Sequence, residues 1–160
     1  MISVRVYGIL MDSARRVLVS DEFIRGDYFT KFPGGGLEFG EGTRDCLKRE
    51  FKEETNLDVT IGEHIYTTDF FQMSAFNKAH QIISIYYFVH AREPIELVTK
   101  TALFDFEPHQ VADVTTSCEV FRWVEWKDLS EESVSLPIDK VVVQLLKEKA
   151  SNEAKFSSIH

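Results

Sequence analysis

Cysteine is scarce in this chain: 160 residues hold two, Cys46 and Cys118, so no disulfide framework is suggested and both are expected as buried thiols. Proline is nearly as rare, with four residues. No apolar run approaches the roughly 18 residues of a membrane-spanning helix. The opening MISVRVYGIL also lacks the cleavage region of a secretory signal, so a cytoplasmic setting is the expectation. Basic excess is missing too. A formal charge of −8 and a pI near 5.1 argue against nucleic-acid polymers and anionic membranes, both of which require a basic footprint. No repeat, linker or low-complexity block interrupts the chain, and its length suits one domain with a real core.

What is present is concentrated between Gly34 and Leu57, GGGLEFGEGTRDCLKREFKEETNL. The pattern predicts a helix from Thr43, whose hydroxyl can cap a first-turn N–H, with Asp45 adding charge at the positive end. It should stop near Thr55, because Asn56 tolerates the left-handed conformation that ends helices. With successive side chains about 100° apart, Glu50, Glu53 and Glu54 share one arc while Lys48 and Lys52 point away. Like charges at these spacings cost a few tenths of a kcal/mol per pair, so a cation is expected to offset them. Cys46, Leu47 and Phe51 flank the arc, which places the carboxylates partly against the protein body, where unpaired charge is expensive. No His or Cys pair stands at ligand spacing nearby, and an all-oxygen donor set suits Mg²⁺ or Mn²⁺ better than zinc.

Gly35, Glu41, Arg49, Glu50, Phe51, Glu53, Glu54, Asn56 and Leu57 fill the pattern G-x5-E-x7-R-E-U-x-E-E-x-G-U, and this run closely resembles the Nudix box of Nudix hydrolases. Every charged position is filled. Asn56 replaces the usual Gly, and Phe51 is aromatic where an aliphatic residue is usual; neither change removes a charge. The resemblance implies an α/β (α+β) fold, an α/β/α sandwich with a mixed sheet between helices. It also implies hydrolysis of a diphosphate linkage between a nucleoside and another group, assisted by divalent metal. Glu50 and Glu54 are then metal ligands, with Glu53 binding a further ion or orienting water and the Gly34 carbonyl as a further ligand. Arg49 and Glu41 stand behind them as positioning groups, with Arg49 holding a glutamate such as Glu50 in a bidentate pair. Glu38 is a weaker ligand candidate. The general base stays open among Glu53, Asp105, Glu107 and Glu119.

Along the rest of the chain, Ile2–Leu10 and Val17–Ser20 read as a hairpin around Asp12 and Ser13, and Asp21–Tyr28 as a surface loop bordering a pocket. Phe29–Phe32 reads as a short strand leading to the glycines. Val59–Phe71 reads as extended, Met73–His80 as a loop, and Ile82–His90 as an apolar core strand. A long connection, 91–118, with a short strand at Ile95–Val98, precedes a strand at Glu119–Trp126. Pro137 opens an amphipathic helix carrying Ile138, Val141, Val142, Leu145 and Leu146, and 151–160 reads as a frayed tail beyond a single domain at 1–150. Tyr28, Phe70, Phe71 and Phe76 lie in or beside loops and could stack on a base.

No proline stands between Pro33 and Pro94, so the downstream proline of ADP-ribose hydrolases is missing, and the extra motifs of coenzyme A and NADH pyrophosphatases are absent. By elimination the expected partner is a small nucleotide, with a nucleoside triphosphate favoured. The family is often dimeric, which leaves a homodimer open. The alternative reading is a non-catalytic Nudix domain binding a nucleotide-like effector in a regulatory role.

Overall fold

The computed structural model describes residues 1–159, and the side chains of 1–154. Eight strands and two long helices form it: β1 (Ile2–Leu10), β2 (Arg16–Ile24), β3 (Asp27–Lys31), β4 (Gly34–Gly36), α1 (Thr43–Thr55), β5 (Val59–Thr67), β6 (Gln81–Ala91), β7 (Thr99–Lys100), β8 (Ser117–Glu125) and α2 (Pro137–Ile159). The strands build two four-stranded sheets, ordered β4-β1-β6-β5 and β3-β2-β8-β7. Each is mixed: β1 runs parallel to β6 and β7 parallel to β8, while the other pairs are antiparallel. One mixed sheet was expected, and two are found.

The split follows from what β1 and β2 bury. Val6 and Leu10 turn to one core with Cys46, Leu47 and Phe51 of α1, whereas Tyr7 and Ile9 turn to the other with Ile138, Val142 and Val143 of α2. On β2, Leu18 joins the α1 side and Val17 and Val19 the α2 side. Strands covered on both faces read as near-continuous apolar runs, and helices on either side complete the layers. The expected β1–β2 hairpin is therefore a misreading. Its turn survives, closed by Asp12 N–H to the Arg16 carbonyl and a bridge between Met11 and Val17, but the strands do not pair along their length, because each finds its main partners elsewhere: β6 for β1, β8 for β2.

Other expectations need correction. Asp21–Tyr28 is not a loop: Asp21 to Ile24 finish β2 and Asp27 opens β3. Asp21 is fully buried, accepts a hydrogen bond from Thr30 and pairs with Arg122 at 2.8 and 3.0 Å, so a charge that reads as surface is neutralised inside. The short strand of the long connection falls at Thr99–Lys100 rather than Ile95–Val98. Helix α2 runs on to Ile159, past the expected end at 150; the part of the tail expectation that concerns the side chains of 155–160 and the placement of residue 160 lies outside the described residues. Cys46 is fully buried and Cys118 half-buried, both as free thiols. No helix among the described residues is long and apolar enough to cross a membrane.

Candidate active site

Helix α1 spans the expected residues but is capped differently. Gly42 is the capping residue and has no side chain to offer; Asp45 accepts from its N–H at 3.2 Å. Thr43, already helical, turns its hydroxyl to the Tyr87 phenol at 2.7 Å and ties the helix to β6. At the other end Asn56 has φ 59°, and its N–H closes on the Lys52 carbonyl, the expected left-handed stop. Cys46, Leu47, Phe51 and Thr55 are the buried face, and Lys48 and Lys52 are exposed. Between these faces lie Arg49, Glu50, Glu53 and Glu54.

Strand β4 makes room for them. Gly34 has φ 149°, and a Cβ on it would stand 2.0 Å from the Val6 carbonyl oxygen. A Cβ on Gly35 would stand 2.3 Å from the Glu50 carboxyl carbon, so the carboxylate rests against bare backbone. Arg49 organises the acids around it. Its Nε and Nη2 donate to both oxygens of Glu41 at 2.9 and 2.8 Å, and its Nη1 donates to Glu50 at 3.0 Å and Glu53 at 3.2 Å. Nη2 also reaches the Gly36 carbonyl at 3.0 Å, fixing helix to strand. The bidentate partner is thus Glu41 rather than Glu50. That pairing holds the Glu41 carboxyl down at about 2, while burial and the Glu41 hydrogen bond push the Cys46 thiol up to about 12 and leave it unreactive.

Glu54 has no such relief. Burial, followed by the charges of Glu119, Glu50 and Glu22, pushes its carboxyl up to about 9. Glu119 is raised to about 6 by burial and Glu22, against a hydrogen bond from the Ser20 hydroxyl at 3.1 Å. The sheet register explains the crowding. Glu22 and Glu119 face each other directly across β2 and β8, where like charges are destabilising. One sheet therefore supplies Glu22 and Glu119, the other supplies Gly35, and α1 lays Glu50 and Glu54 where they meet.

Among the described residues, no three His, Cys, Asp or Glu side chains already stand in metal-ligating geometry. The donor set nevertheless fits a hard divalent ion. It consists of oxygens, and its negative charge exceeds what Arg49 and, at Glu22, Lys31 supply, so that burial and the neighbouring carboxylates raise the Glu54 carboxyl.

The other candidates separate. Glu119 reaches the cluster, whereas Asp105 and Glu107 are exposed in the long connection and share no hydrogen bond or ion pair with it. Glu38 sits at the rim, 3.7 Å from Arg49. A cavity of about 470 Å³ adjoins the cluster at Glu22, the one carboxylate in its lining, and is bordered also by Arg5, Lys31 and Gln72 and by the Met73–His80 loop. Phe76 lines it and packs edge-on against Phe29. Tyr28 instead packs with Phe23, Phe104 and Phe106, and Phe70 and Phe71 are exposed outside the lining. Sequence reasoning passed over Glu22, Arg5, Lys31 and Gln72, since only strand register and the closing of the loop bring them to the site.

The NUDIX domain model matches residues 1–146, and the chain belongs to that family. Solved structures of similar fold include the E. coli ORF135 protein, at 15% identity and a TM-score of 0.65, covering 92% of this chain and 89% of that one. A MutT NUDIX hydrolase from Burkholderia pseudomallei is 14% identical with a TM-score of 0.64, covering 91% and 98%. A NUDIX hydrolase from Nitrosomonas europaea is 16% identical with a TM-score of 0.61, covering 95% and 90%. At these identities the likeness is one of fold.

Proposed function

We propose that this protein is a divalent-metal-dependent pyrophosphohydrolase that cuts a diphosphate linkage in a small nucleotide, with a nucleoside triphosphate as the favoured substrate. Family membership implies pyrophosphate hydrolysis of nucleotide-like substrates. The observation that carries the reading for this chain is the crowding of Glu50, Glu54, Glu119 and Glu22, which raises the Glu54 and Glu119 carboxyls, with Glu50 set against the bare backbone of Gly35. A negative site that destabilises its own fold is well explained by a cation it has to hold.

In this reading Glu50 and Glu54, with the Gly34 carbonyl, hold Mg²⁺ or Mn²⁺. A bound ion there neutralises the crowded charge of a phosphoanhydride and lowers the pKa of a water. Arg49 keeps Glu50 in place through Nη1, while its fork is braced on Glu41. Glu53, tied to Arg49 and facing solvent, stays a candidate for a further ion or for orienting water. Glu119 is our choice of base, because of the candidates outside the helix it is the one that reaches the cluster; it would accept the proton of the attacking water. The setting we propose is cytoplasmic, with a homodimer open.

The test is a hydrolysis screen over canonical and oxidised nucleoside triphosphates, nucleotide sugars, ADP-ribose and dinucleoside polyphosphates, with Mg²⁺ or Mn²⁺. Metal-dependent release of a nucleoside monophosphate with phosphate or pyrophosphate is expected. Glu54→Gln and Glu119→Gln should each lower kcat by about 10²-fold or more with folding intact. Tight nucleotide binding without turnover by the wild type would instead favour the regulatory, non-catalytic reading.

A further inference from the structure

Beside the excess of negative charge lies an excess of positive charge. Arg5 on β1 and Lys31 on β3 both border the cavity, and the Lys31 side chain is only 7% exposed. Their partners are few. Arg5 Nε donates to the Tyr7 hydroxyl at 2.6 Å, and Lys31 Nζ lies 3.6 Å from Glu22, its one carboxylate neighbour within ion-pair distance. Both cations also sit over the Tyr7 ring, at 5.7 and 5.8 Å from its centre. Two largely buried cations thus share a phenol, and the one carboxylate within ion-pair distance of Lys31 itself faces Glu119. Burial by itself would weaken the charge on each. The Tyr7 oxygen and nearby carboxylates, Glu50 and Glu22 for Arg5 and Glu22 and Asp139 for Lys31, more than reverse that, and both stay protonated. A buried cation without a full counter-charge is as costly as a buried carboxylate without one.

The two imbalances adjoin. Arg5 Nη1 comes within 3.7 Å of where a Cβ on Gly36 would stand, one residue from the glycine against which Glu50 rests. In the same lining the Gln72 Oε1 is buried and accepts no hydrogen bond from the described residues, so a ligand donor can satisfy it.

We infer that Arg5 and Lys31 form an anion seat that binds a phosphate group of the substrate directly, on the side of the diphosphate away from the carboxylates, and so direct the organic group into the cavity toward Phe76 and Gln72. This inference rests on the pyrophosphohydrolase reading and adds the direction in which the substrate lies. It makes the substrate a diphosphate whose organic group is flat enough to lie against Phe76 and carries an N–H or O–H for Gln72. The seat needs no metal.

Binding of inorganic pyrophosphate in EDTA, by titration calorimetry, tests the seat without turnover or metal. The wild type should bind, and Lys31→Gln and Arg5→Gln should each weaken binding tenfold or more, while Lys31→Arg keeps it within about threefold. In turnover, Arg5→Gln should raise KM more than it lowers kcat, and Gln72→Leu should weaken a non-hydrolysable α,β-methylene nucleoside diphosphate but not pyrophosphate. No wild-type binding in EDTA, or equal affinity in Lys31→Gln and Arg5→Gln with melting curves intact, overturns the seat; should one variant not fold, the other decides. A wild type that hydrolyses nothing in the screen yet loses pyrophosphate on Lys31→Gln sinks the hydrolase reading and leaves the seat standing.

Discussion

Gly35 shows how one missing side chain can set a site. Its Cα lies where any Cβ would run into the Glu50 carboxylate, and a carboxylate cannot yield there without leaving Arg49. Gly35→Ala should therefore displace Glu50 and lower Mg²⁺ affinity by about 10- to 100-fold, the usual cost of disturbing a group that orients a ligand. Metal titration of the variant checks this, and unchanged affinity would refute the close approach. The glutamates of the helix were legible in the sequence because their spacing alone puts them on one arc. Their partner Glu22 was not, because nothing local marks it: only the register of β2 against β8 sets it opposite Glu119.

Helix α1 is the element most completely written in local sequence. Its span, its buried face and its left-handed stop at Asn56 all follow from residues within a few positions of one another. Because Asn56 has φ 59°, where glycine is at least as comfortable, Asn56→Gly should leave the melting temperature within a few degrees of wild type or raise it. A drop beyond that would contradict the left-handed stop. The start was read one residue late as a cap, since a Thr and a preceding Gly are both acceptable there and the attraction of Thr43 to Tyr87 comes from a strand distant in sequence.

Across the whole molecule, two buried carboxylates hold layers together at different costs. Asp21 ties β2 to Arg122 of β8 and accepts from the Phe104 N–H of the long connection at 3.2 Å. Asp21→Asn leaves Arg122 largely buried without its counter-charge, and a loss of about 3–5 kcal/mol is expected, read by urea denaturation. Asp139 of α2 is fully enclosed, accepts from the Tyr86 hydroxyl and has its second oxygen unpartnered. Burial pushes its carboxyl up to about 7, with the Tyr86 hydrogen bond and Lys31 opposing and Glu22 adding to the rise. A carboxyl whose folded pKa is raised takes up its proton more readily folded than unfolded, so its contribution is present below pH 4 and is lost as pH rises to about 7. Asp139→Asn should remove that part of the slope of stability against pH between 4 and 7, on the order of 4 kcal/mol in full; an unchanged slope would show that Asp139 does not titrate there. The sequence by itself determined the chemistry of the helix and the family, because the box is contiguous and its spacing is set by the helical repeat. The tertiary structure decided which strands pair, that Asp21 is inside, and that Glu22, Glu119, Arg5 and Lys31 gather around the box. Those contacts join residues as far as 101 positions apart, and pairing at that range depends on the burial of both strand faces at once, which no local pattern encodes.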